Sequence, residues 1–259
     1  MSLRFSSLYA SAYDLLNEGK PYKDEIDFVQ ALYARYCGSA ENLRSVLDLG
    51  CGSGLHLSKI DHTIRKTGID LSEDMLRLAK SRNIPNSTFE TANVGDYRSN
   101  TKFDLIYSLF HVMSYQSTEI ELSNALQTVH DNLEAGGLAV FDFWHRAAWD
   151  QDPPVTRVTT KIGPSLQVKR ISVPKVDYLT GLVSIEMDIF IHETGSVENT
   201  FIHFLEHHDL RAYTLRELTL ASTLCGLRVV GSGPWMTTER ELAVKDWYGW
   251  IALQTSSPA

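Results

Sequence analysis

The chain has 259 residues, of which 43% are apolar and 22% charged, proportions that are ordinary for a globular protein. Its formal net charge is −8, whereas nucleic-acid-binding proteins usually carry a basic face, so no nucleic-acid partner is expected. No stretch approaches the roughly eighteen apolar residues of a membrane helix, and no secretory signal is evident, so we expect a cytoplasmic protein without a membrane partner. The three cysteines have no paired spacing, which favours neither a disulfide framework nor a metal site.

The first half of the chain alternates between helical and strand patterns. Residues up to about Ala40 have apolar side chains at helical spacing, and Val46 to Leu49 is predicted to be the first buried strand. Leu55 to Ile60 is predicted to begin the next helix. A second strand ends at Asp70, and Ser72 is predicted to cap the helix after it.

Strands are then predicted at Ser87 to Glu90, Phe103 to Phe110 and Leu138 to Phe143. The helix between the last two begins with a capping box at Thr118, and Gly136 and Gly137 are predicted to end it. Alternating strands and helices of this kind predict an α/β fold, a doubly wound, Rossmann-like parallel sheet with helices on both faces.

The pattern changes after about Ala147. Apolar and polar residues alternate from Ser184 to Ile191, which is typical of a half-buried antiparallel strand, and Gly181 and Gly195 are predicted to lie in turns. Thr156 to His208 therefore predicts a small antiparallel sheet inserted between strands of the main sheet. A helix and two final strands follow it.

A glycine-rich stretch, VLDLGCGSG, follows the first strand and contains Gly50, Gly52 and Gly54. Glycines permit a tight turn that brings the backbone against a ligand, and a carboxylate about twenty residues later, here Asp70, is placed to hold a ribose. The dinucleotide fingerprint requires a glycine where this chain has Leu55. Asp48 adds negative potential beside the turn, which favours a cationic ligand over a pyrophosphate.

DLGCGSG and GIDLS resemble the first two motifs of the class I S-adenosylmethionine-dependent methyltransferases. YDLLNEGKPYKDE, GLHLSK, LSEDML and LEHHDLRAYTLRE also resemble the nucleotide-sugar N-methyltransferases, which dimethylate amino-deoxysugars carried on dTDP. The resemblance implies S-adenosyl-L-methionine as cofactor and N-methylation of a dTDP- or UDP-linked amino sugar. It also implies a helical lid over residues 1–40, a cofactor-binding core over 41–147 and 210–255, and an acceptor-binding sheet over 148–209, above the active site.

Within this resemblance, Gly50 and Gly52 would contact the methionine part, Asp70 the ribose hydroxyls, and Leu71 and Met75 the adenine. Asn93 stands where the family often has Asp, and Asp96 is the alternative if the alignment shifts by three residues. The residues predicted to bind the cofactor are Tyr13, Asp48, Gly50, Cys51, Gly52, Gly54, His56, Asp70, Leu71, Met75, Asn93, Val94 and Leu109. Cys51 is interpreted as a small residue that fills space rather than as a nucleophile.

The acceptor amine must lose a proton before it attacks, and Tyr115, Glu206, His208 or His111 is predicted to accept it, directly or through water. Tyr115 stands where some relatives have His. Its side chain is therefore interpreted either as taking part in the reaction or as lining the wall of the cleft. Strand alternation places Glu206 and His208 on one face, where they act together or fix the sheet to the core. The residues predicted to bind the acceptor are Phe5, Tyr9, Met113, Trp144, His145 and Arg211.

Other functions stay open at this point. The acceptor could be a sugar hydroxyl or an amino acid amine, and the chain could be a non-catalytic cofactor-binding partner. A Rossmann oxidoreductase is a further alternative, against which Leu55 and the antiparallel insertion weigh. We expect a monomer or a homodimer.

Overall fold

The computed structural model describes residues 7–164, 166–193 and 201–256. The α-helices in these ranges are α1 (Ser7–Leu16), α2 (Tyr22–Cys37), α3 (Glu73–Ser81), α4 (Glu119–Asn132), α5 (Arg146–Trp149) and α6 (Leu215–Leu224). The strands are β1 (Ser45–Leu49), β2 (Arg65–Asp70), β3 (Ser87–Thr91), β4 (Phe103–Ser108), β5 (Leu133–Trp144), β6 (Arg157–Ile162), β7 (Leu166–Asp177), β8 (Leu182–Glu193), β9 (Phe201–Arg211), β10 (Leu227–Pro234) and β11 (Tyr248–Thr255).

The main sheet has seven strands in the order β10-β11-β5-β4-β1-β2-β3. The pairs within β1 to β5 are parallel, whereas β11 is antiparallel to both β5 and β10. Successive residues of β1 point to opposite faces. Val46 packs into a cluster with α2, and Leu47 packs into a second cluster with α4 and α6. Both faces are therefore covered by helices, and the predicted fold class is confirmed.

Two helix predictions are wrong in detail. Leu55 to Ile60 forms no α-helix and instead contains a 3₁₀ turn over Leu57–Lys59, because the Ser58 hydroxyl donates to the Leu55 carbonyl and Leu57 is fully buried. The helix before β5 ends at Asn132, whose side chain donates to the Thr128 carbonyl and so closes the last turn.

Gly136 and Gly137 consequently lie within β5 and do not end α4. At Gly137 a Cβ would lie 2.8 Å from the Asp104 carbonyl oxygen, so this glycine permits β5 to approach β4 closely.

The inserted sheet has four antiparallel strands in the order β6-β7-β8-β9, and it lies between β5 and β10 in the sequence. One end of its inner face, including Val168 and Ile189, packs against α1 and α3. The other end, including Val183 and Leu210, packs against α5. Gly181 lies in the predicted turn at φ +77°, and Gly195 lies outside the described residues. Among the described helices, none combines the length and apolar character needed to cross a membrane.

Candidate active site

A cavity of about 1180 Å³ lies between the carboxyl ends of the central parallel strands and the middle of the inserted sheet. Its volume is sufficient for a cofactor and a second small molecule. The sequence-predicted residues that line it are Tyr13, Gly50, Cys51, Gly52, His56, Asp70, Leu71, Met75, Asn93, Val94, Leu109, His111, Tyr115, Trp144 and His208.

The glycine loop presents its backbone to this cavity. Gly50 adopts φ +79°, and a Cβ there would lie 2.5 Å from Val112 Cγ1, so the position excludes a side chain. A Cβ on Gly52 would meet no atom within 4 Å, so the loop is open on that side. Gly54 does not line the cavity, since a Cβ there would lie 3.1 Å from Ala79 on α3. The three glycines therefore serve different purposes, and two of them form the ligand-facing turn.

Asp70 joins the glycine loop to the second strand. Its Oδ2 accepts a hydrogen bond from the Gly52 backbone N–H at 2.8 Å, and its Oδ1 accepts one from the Ser72 N–H at 2.8 Å. Burial raises the pKa of the Asp70 carboxyl, and these backbone N–H groups oppose that rise. The carboxylate is therefore fixed at the cavity wall, where its remaining lone pairs are available to ligand hydroxyls.

Asp48 does not act as the sequence argument supposed. Its side chain is 1% exposed and is not part of the cavity wall. Burial raises the pKa of its carboxyl well above the ordinary value, and the charge of Asp70 adds to the rise. Asp70, Glu73 and Asp96 line the cavity and are among the carboxyl groups that a cationic ligand would meet there. Burial likewise raises the pKa of the Cys51 thiol, which agrees with a space-filling side chain.

Helix α1 is attached to the glycine loop through Asp14. One carboxylate oxygen accepts from the Ser53 hydroxyl at 2.9 Å, and the other pairs with Arg82, which also donates to the Ser53 carbonyl at 2.7 Å. Tyr13 lies edge-on to Phe110, with ring centroids 6.5 Å apart. These contacts hold α1 beside the cavity, which Tyr13 lines. Phe5 lies outside the described residues, and for Tyr9 the structure describes only its place in α1.

Lys20, which precedes α2, and Glu25, in its first turn, form a buried ionisable group with His56, and the sequence analysis missed the first two. Lys20 pairs with Glu25, and its ammonium lies 4.7 Å from the centre of the Phe110 ring. Glu25 also contacts His56 Nε2 at 2.7 Å. Burial lowers the pKa of His56, whereas hydrogen bonds from His56 and Lys20 outweigh burial and lower the pKa of Glu25. The signal in the sequence was the stretch GKPYKDE, which the resemblance had singled out without assigning these roles.

At the end of β4, Phe110 and His111 adopt consecutive left-handed conformations, with φ +65° and +63°. Such strain in non-glycine residues is often found at functional sites. The His111 backbone N–H donates to Asp142 Oδ1 at 3.0 Å, and its Nδ1 lies 2.9 Å from Asp142 Oδ2. The ring stacks on Tyr248 at 4.7 Å. His111 is thus held at the wall by both its backbone and its ring.

Tyr115, His208 and Glu206 form a chain of hydrogen bonds from the cavity into the inserted sheet. The Tyr115 hydroxyl lies 3.1 Å from His208 Nδ1, and His208 Nε2 lies 3.1 Å from Glu206 Oε2. Tyr115 and His208 line the cavity, while Glu206 is only 3% exposed and lies behind them. With Glu206 ionised and His208 neutral, the Nε2–H group of His208 donates a hydrogen bond to the carboxylate. Its Nδ1 atom then accepts a hydrogen bond from the Tyr115 hydroxyl.

Three residues predicted to bind the acceptor do not reach the cavity. Met113 is 1% exposed within the core cluster beside α4. His145 points away from the wall formed by Trp144, and its Nδ1 lies 3.0 Å from the Asp246 carbonyl oxygen. Arg211 pairs with carboxylates at the starts of α4 and α6. These side chains stabilise the packing around the cavity, and their predicted contact with an acceptor is corrected accordingly.

Comparison with known proteins shows what the core is similar to. Residues 46–137 match a family model described as a methyltransferase domain. This part of the chain is therefore similar to methyltransferase domains. It is 34% identical over 139 residues to the dTDP-3-amino-3,4,6-trideoxy-alpha-D-glucopyranose N,N-dimethyltransferase of Streptomyces venezuelae, covering 52% of this chain and 57% of that protein. The chain thus spans about half the length of the curated relatives it matches.

Solved structures show the same fold over nearly the whole chain. An S-adenosylmethionine-dependent methyltransferase from Clostridium acetobutylicum ATCC 824 has a TM-score of 0.78 at 19% identity, covering 96% of this chain and 98% of that one. The sugar N-methyltransferase KedS8 from Streptoalloteichus sp ATCC 53650 has a TM-score of 0.77 at 20% identity, covering 95% and 93%. The class I methyltransferase fold is therefore confirmed, together with its inserted sheet.

The match to a methyltransferase domain supports S-adenosylmethionine, the predicted cofactor, and the cavity fits it. The open face at Gly52 accepts backbone contact, and Asp70 presents oxygens suited to ribose hydroxyls. The buried Tyr22 hydroxyl, which also lines the cavity, has no hydrogen-bond partner among the described residues and so offers a further contact. Both Asn93 and Asp96 line the cavity, so the choice between them stays open. No group of three side chains suited to a metal ion occurs in the described part of the chain.

Proposed function

We propose that the protein transfers a methyl group from S-adenosylmethionine to the amine of a small acceptor, a nucleotide-linked amino sugar. The observation that carries the proposal is the chain Tyr115–His208–Glu206, which reaches the same cavity as the glycine loop. The relative in Streptomyces venezuelae, named for dimethylation of a dTDP-linked amino sugar, supports the acceptor class. We further assign the lid to residues 1–40, the core to 41–147 and 210–255, and the acceptor-binding sheet to 148–209.

The cofactor supplies an electrophilic methyl group on a sulfonium, and the acceptor amine attacks it in line. Because the reaction moves positive charge rather than creating it, alignment of the two groups is the main contribution of the protein, worth about 7–11 kcal/mol in favourable cases. The lid helix and the aromatic wall that includes Phe110 and Trp144 exclude water and restrict the acceptor.

An amine is largely protonated at neutral pH and must lose one proton before it attacks. In the proposed step, the Tyr115 oxygen accepts that proton while its own hydroxyl proton passes to His208 Nδ1. The imidazolium that results is stabilised by the buried carboxylate of Glu206. His111 lies in the same cavity and is the alternative acceptor.

The test is a mass-spectrometric screen of the purified protein with S-adenosylmethionine and a panel of dTDP- and UDP-linked amino sugars, beside matched sugars that carry a hydroxyl instead of the amine. We expect a mass increase of one or two methyl groups on the amino sugars alone. Methylation confined to the hydroxyl sugars would contradict the N-methylation proposal.

Tyr115→Phe tests the mechanism. We expect turnover to fall about tenfold or more, because general acid–base steps typically contribute at least a hundredfold and water replaces part of the loss. Affinity for S-adenosylhomocysteine, measured by calorimetry, should stay unchanged. Tyr178→Phe, at an exposed turn residue, is the matched control. Equal losses of turnover and cofactor affinity would assign Tyr115 to the wall.

A further inference from the structure

The inserted sheet presents two arginines to the cavity, far along the same face from the Tyr115–His208–Glu206 chain. Arg157 on β6 and Arg170 on β7 both line the cavity, together with Thr159 and Ser172. Among the described residues, neither guanidinium has a carboxylate within 4 Å, and the buried Arg170 Nε has no hydrogen-bond partner. Arg77, which also lines the cavity, differs because it pairs with Asp74 at 2.6 Å.

The register of the sheet brings the two arginines together. Arg157 pairs with Ser172, and Thr159 pairs with Arg170, so the arginines are diagonal neighbours on one face. Diagonal neighbours are roughly 7–8 Å apart, a separation that two long side chains easily span. The charge of Arg157 also lowers the pKa of Tyr248, a cavity residue whose pKa burial raises, which places the guanidinium within electrostatic reach of the cavity wall.

The same register also fixes the distance between Arg157 and Glu206, at the end of the sheet where the proton is proposed to be accepted. Ser172 pairs with Met187, and Met187 pairs with Glu206, so Arg157 and Glu206 stand in one row across all four strands. Three strand spacings of about 4.8 Å separate their backbones by roughly 14 Å. A molecule lying along this row would contact cationic side chains at one end and the Tyr115 hydroxyl at the other.

Two neighbouring guanidinium groups without counter-charge repel each other, and the Arg170 Nε has lost contact with water without gaining a hydrogen-bond partner. A phosphate group relieves both costs, because guanidinium binds phosphate oxygens with paired hydrogen bonds. Elsewhere the cavity wall is acidic, with Asp70, Glu73 and Asp96 among its residues, and the chain carries a net charge of −8. An anionic group entering this cavity is thus directed to the arginine end.

We propose that Arg157 and Arg170 bind the phosphate groups of the acceptor and thereby set its orientation, with its reacting amine at Tyr115. The proposal rests on the proposed function, from which it takes the nucleotide-linked class of acceptor. It goes further by naming the residues that select a phosphate-bearing acceptor over a free amino sugar.

Binding of dTDP and of inorganic pyrophosphate, measured by calorimetry on protein saturated with S-adenosylhomocysteine, tests this site. For Arg170→Gln and Arg157→Gln we expect at least about tenfold weaker binding of dTDP, since hydrogen bonds to charged groups contribute about 1.5–3 kcal/mol. Lys169→Gln is the matched control, because it removes the same charge from the adjacent, exposed position on the opposite face. Lys169→Gln should bind dTDP as the unchanged protein does, and thymidine without phosphate should bind all variants alike.

Arg170→Lys keeps the charge but loses the forked geometry, and intermediate affinity for dTDP is expected. S-adenosylhomocysteine affinity, equal in all variants, reports that they are folded. The proposal is overturned if the unchanged protein binds S-adenosylhomocysteine but neither dTDP nor pyrophosphate, or if both glutamine variants bind dTDP with full affinity. Absence of S-adenosylhomocysteine binding to the unchanged protein would instead contradict the proposed function, so the two failures are distinguishable.

Discussion

The two sides of the cavity are built by different means. At the glycine loop, the contacts around Asp70 involve the backbone and residues 2 and 18 positions away, in the hydrogen bonds from the Ser72 and Gly52 N–H groups. On the inserted sheet, side chains distant in sequence meet, as with Tyr115 and His208, which are 93 positions apart. The first side is therefore specified by a short local segment, whereas the second depends on the register of long strands.

This difference predicts that a glycine-to-alanine substitution has its largest effect on ligand binding in the glycine loop. Gly50→Ala adds a Cβ at φ +79° that would lie 2.5 Å from Val112 Cγ1, so the loop must shift away from its ligand-binding position. Left-handed strain of about 1–2 kcal/mol and overpacking of about 1–3 kcal/mol together predict roughly a hundredfold weaker binding of S-adenosylhomocysteine in calorimetry.

Gly136→Ala is the matched control for that loss. Gly136 has φ +80° but open space around it, and it lies at the start of β5, outside the cavity. Gly136→Ala should lower the free energy of unfolding through a similar left-handed strain while leaving S-adenosylhomocysteine affinity unchanged. If Gly50→Ala binds S-adenosylhomocysteine as tightly as the unchanged protein does, the loop does not contact the cofactor.

The next largest effect is expected at Asp70. In Asp70→Asn the amide nitrogen replaces one acceptor oxygen, so either a backbone N–H of the loop or a ribose hydroxyl loses its partner. Hydrogen bonds to charged groups contribute about 1.5–3 kcal/mol, which predicts about 10- to 100-fold weaker S-adenosylhomocysteine binding in calorimetry. Asp74→Asn, at an acidic residue that also lines the cavity but pairs with Arg77, should change that affinity little. If the two variants behave alike, Asp70 has no specific role with the ribose.

The same contrast explains how far the sequence could predict the fold. Apolar runs and capping boxes located the parallel strands and the helices, because these signals act within a few residues. The segment after Gly54 was predicted as a helix because its residues allow one. In the structure a hydrogen bond from the Ser58 side chain to the Leu55 carbonyl and the burial of Leu57 produce a 3₁₀ turn instead. Leu57 is buried in the same cluster as Ile26 and Val29 of α2, and periodicity alone does not report such packing.

The site divides in the same way. Asp70 and the glycine loop are predicted from their spacing in the sequence alone, and both line the cavity. Met113 was placed at the acceptor although it lies in the core, since a single turn decides which side of Val112–Tyr115 faces the cavity. Arg157 and Arg170 were missed, because a charged residue in an alternating strand is normally interpreted as facing solvent. The register with the next strand is needed to show that the two side chains are neighbours. Only the assembled sheet shows which side its charges face.

On the inserted sheet, Glu206→Gln should produce a smaller effect than the changes at the glycine loop, and one of a different kind. The amide keeps the shape but removes the charge that would stabilise a His208 imidazolium in the proposed step, so turnover should fall about tenfold without loss of S-adenosylhomocysteine affinity. Glu186→Gln, at an exposed residue of the neighbouring strand, should leave the rate unchanged. A lower stability with unchanged turnover would assign Glu206 a purely structural role.

The smallest effect concerns stability at the contact between Glu25 of α2 and His56, which follows the glycine loop. Burial lowers the pKa of His56 in the folded state, so below about pH 6.5 the unfolded chain binds more protons and stability falls. The lowered pKa of Glu25 adds a stabilisation that is present above its unfolded pKa of about 4.5 and is lost as pH falls through the folded value.

Both groups therefore make the fold less stable in acid, and His56 acts first. Urea unfolding between pH 7 and 5 should show a shallower loss of the free energy of unfolding in His56→Gln than in the unchanged protein. The difference is at most one proton, about 1.4 kcal/mol for each pH unit. His62→Gln is the control, because its 76% exposed side chain has similar surroundings in both states. Parallel pH profiles for all three proteins would mean that acid does not act through the contact between Glu25 and His56.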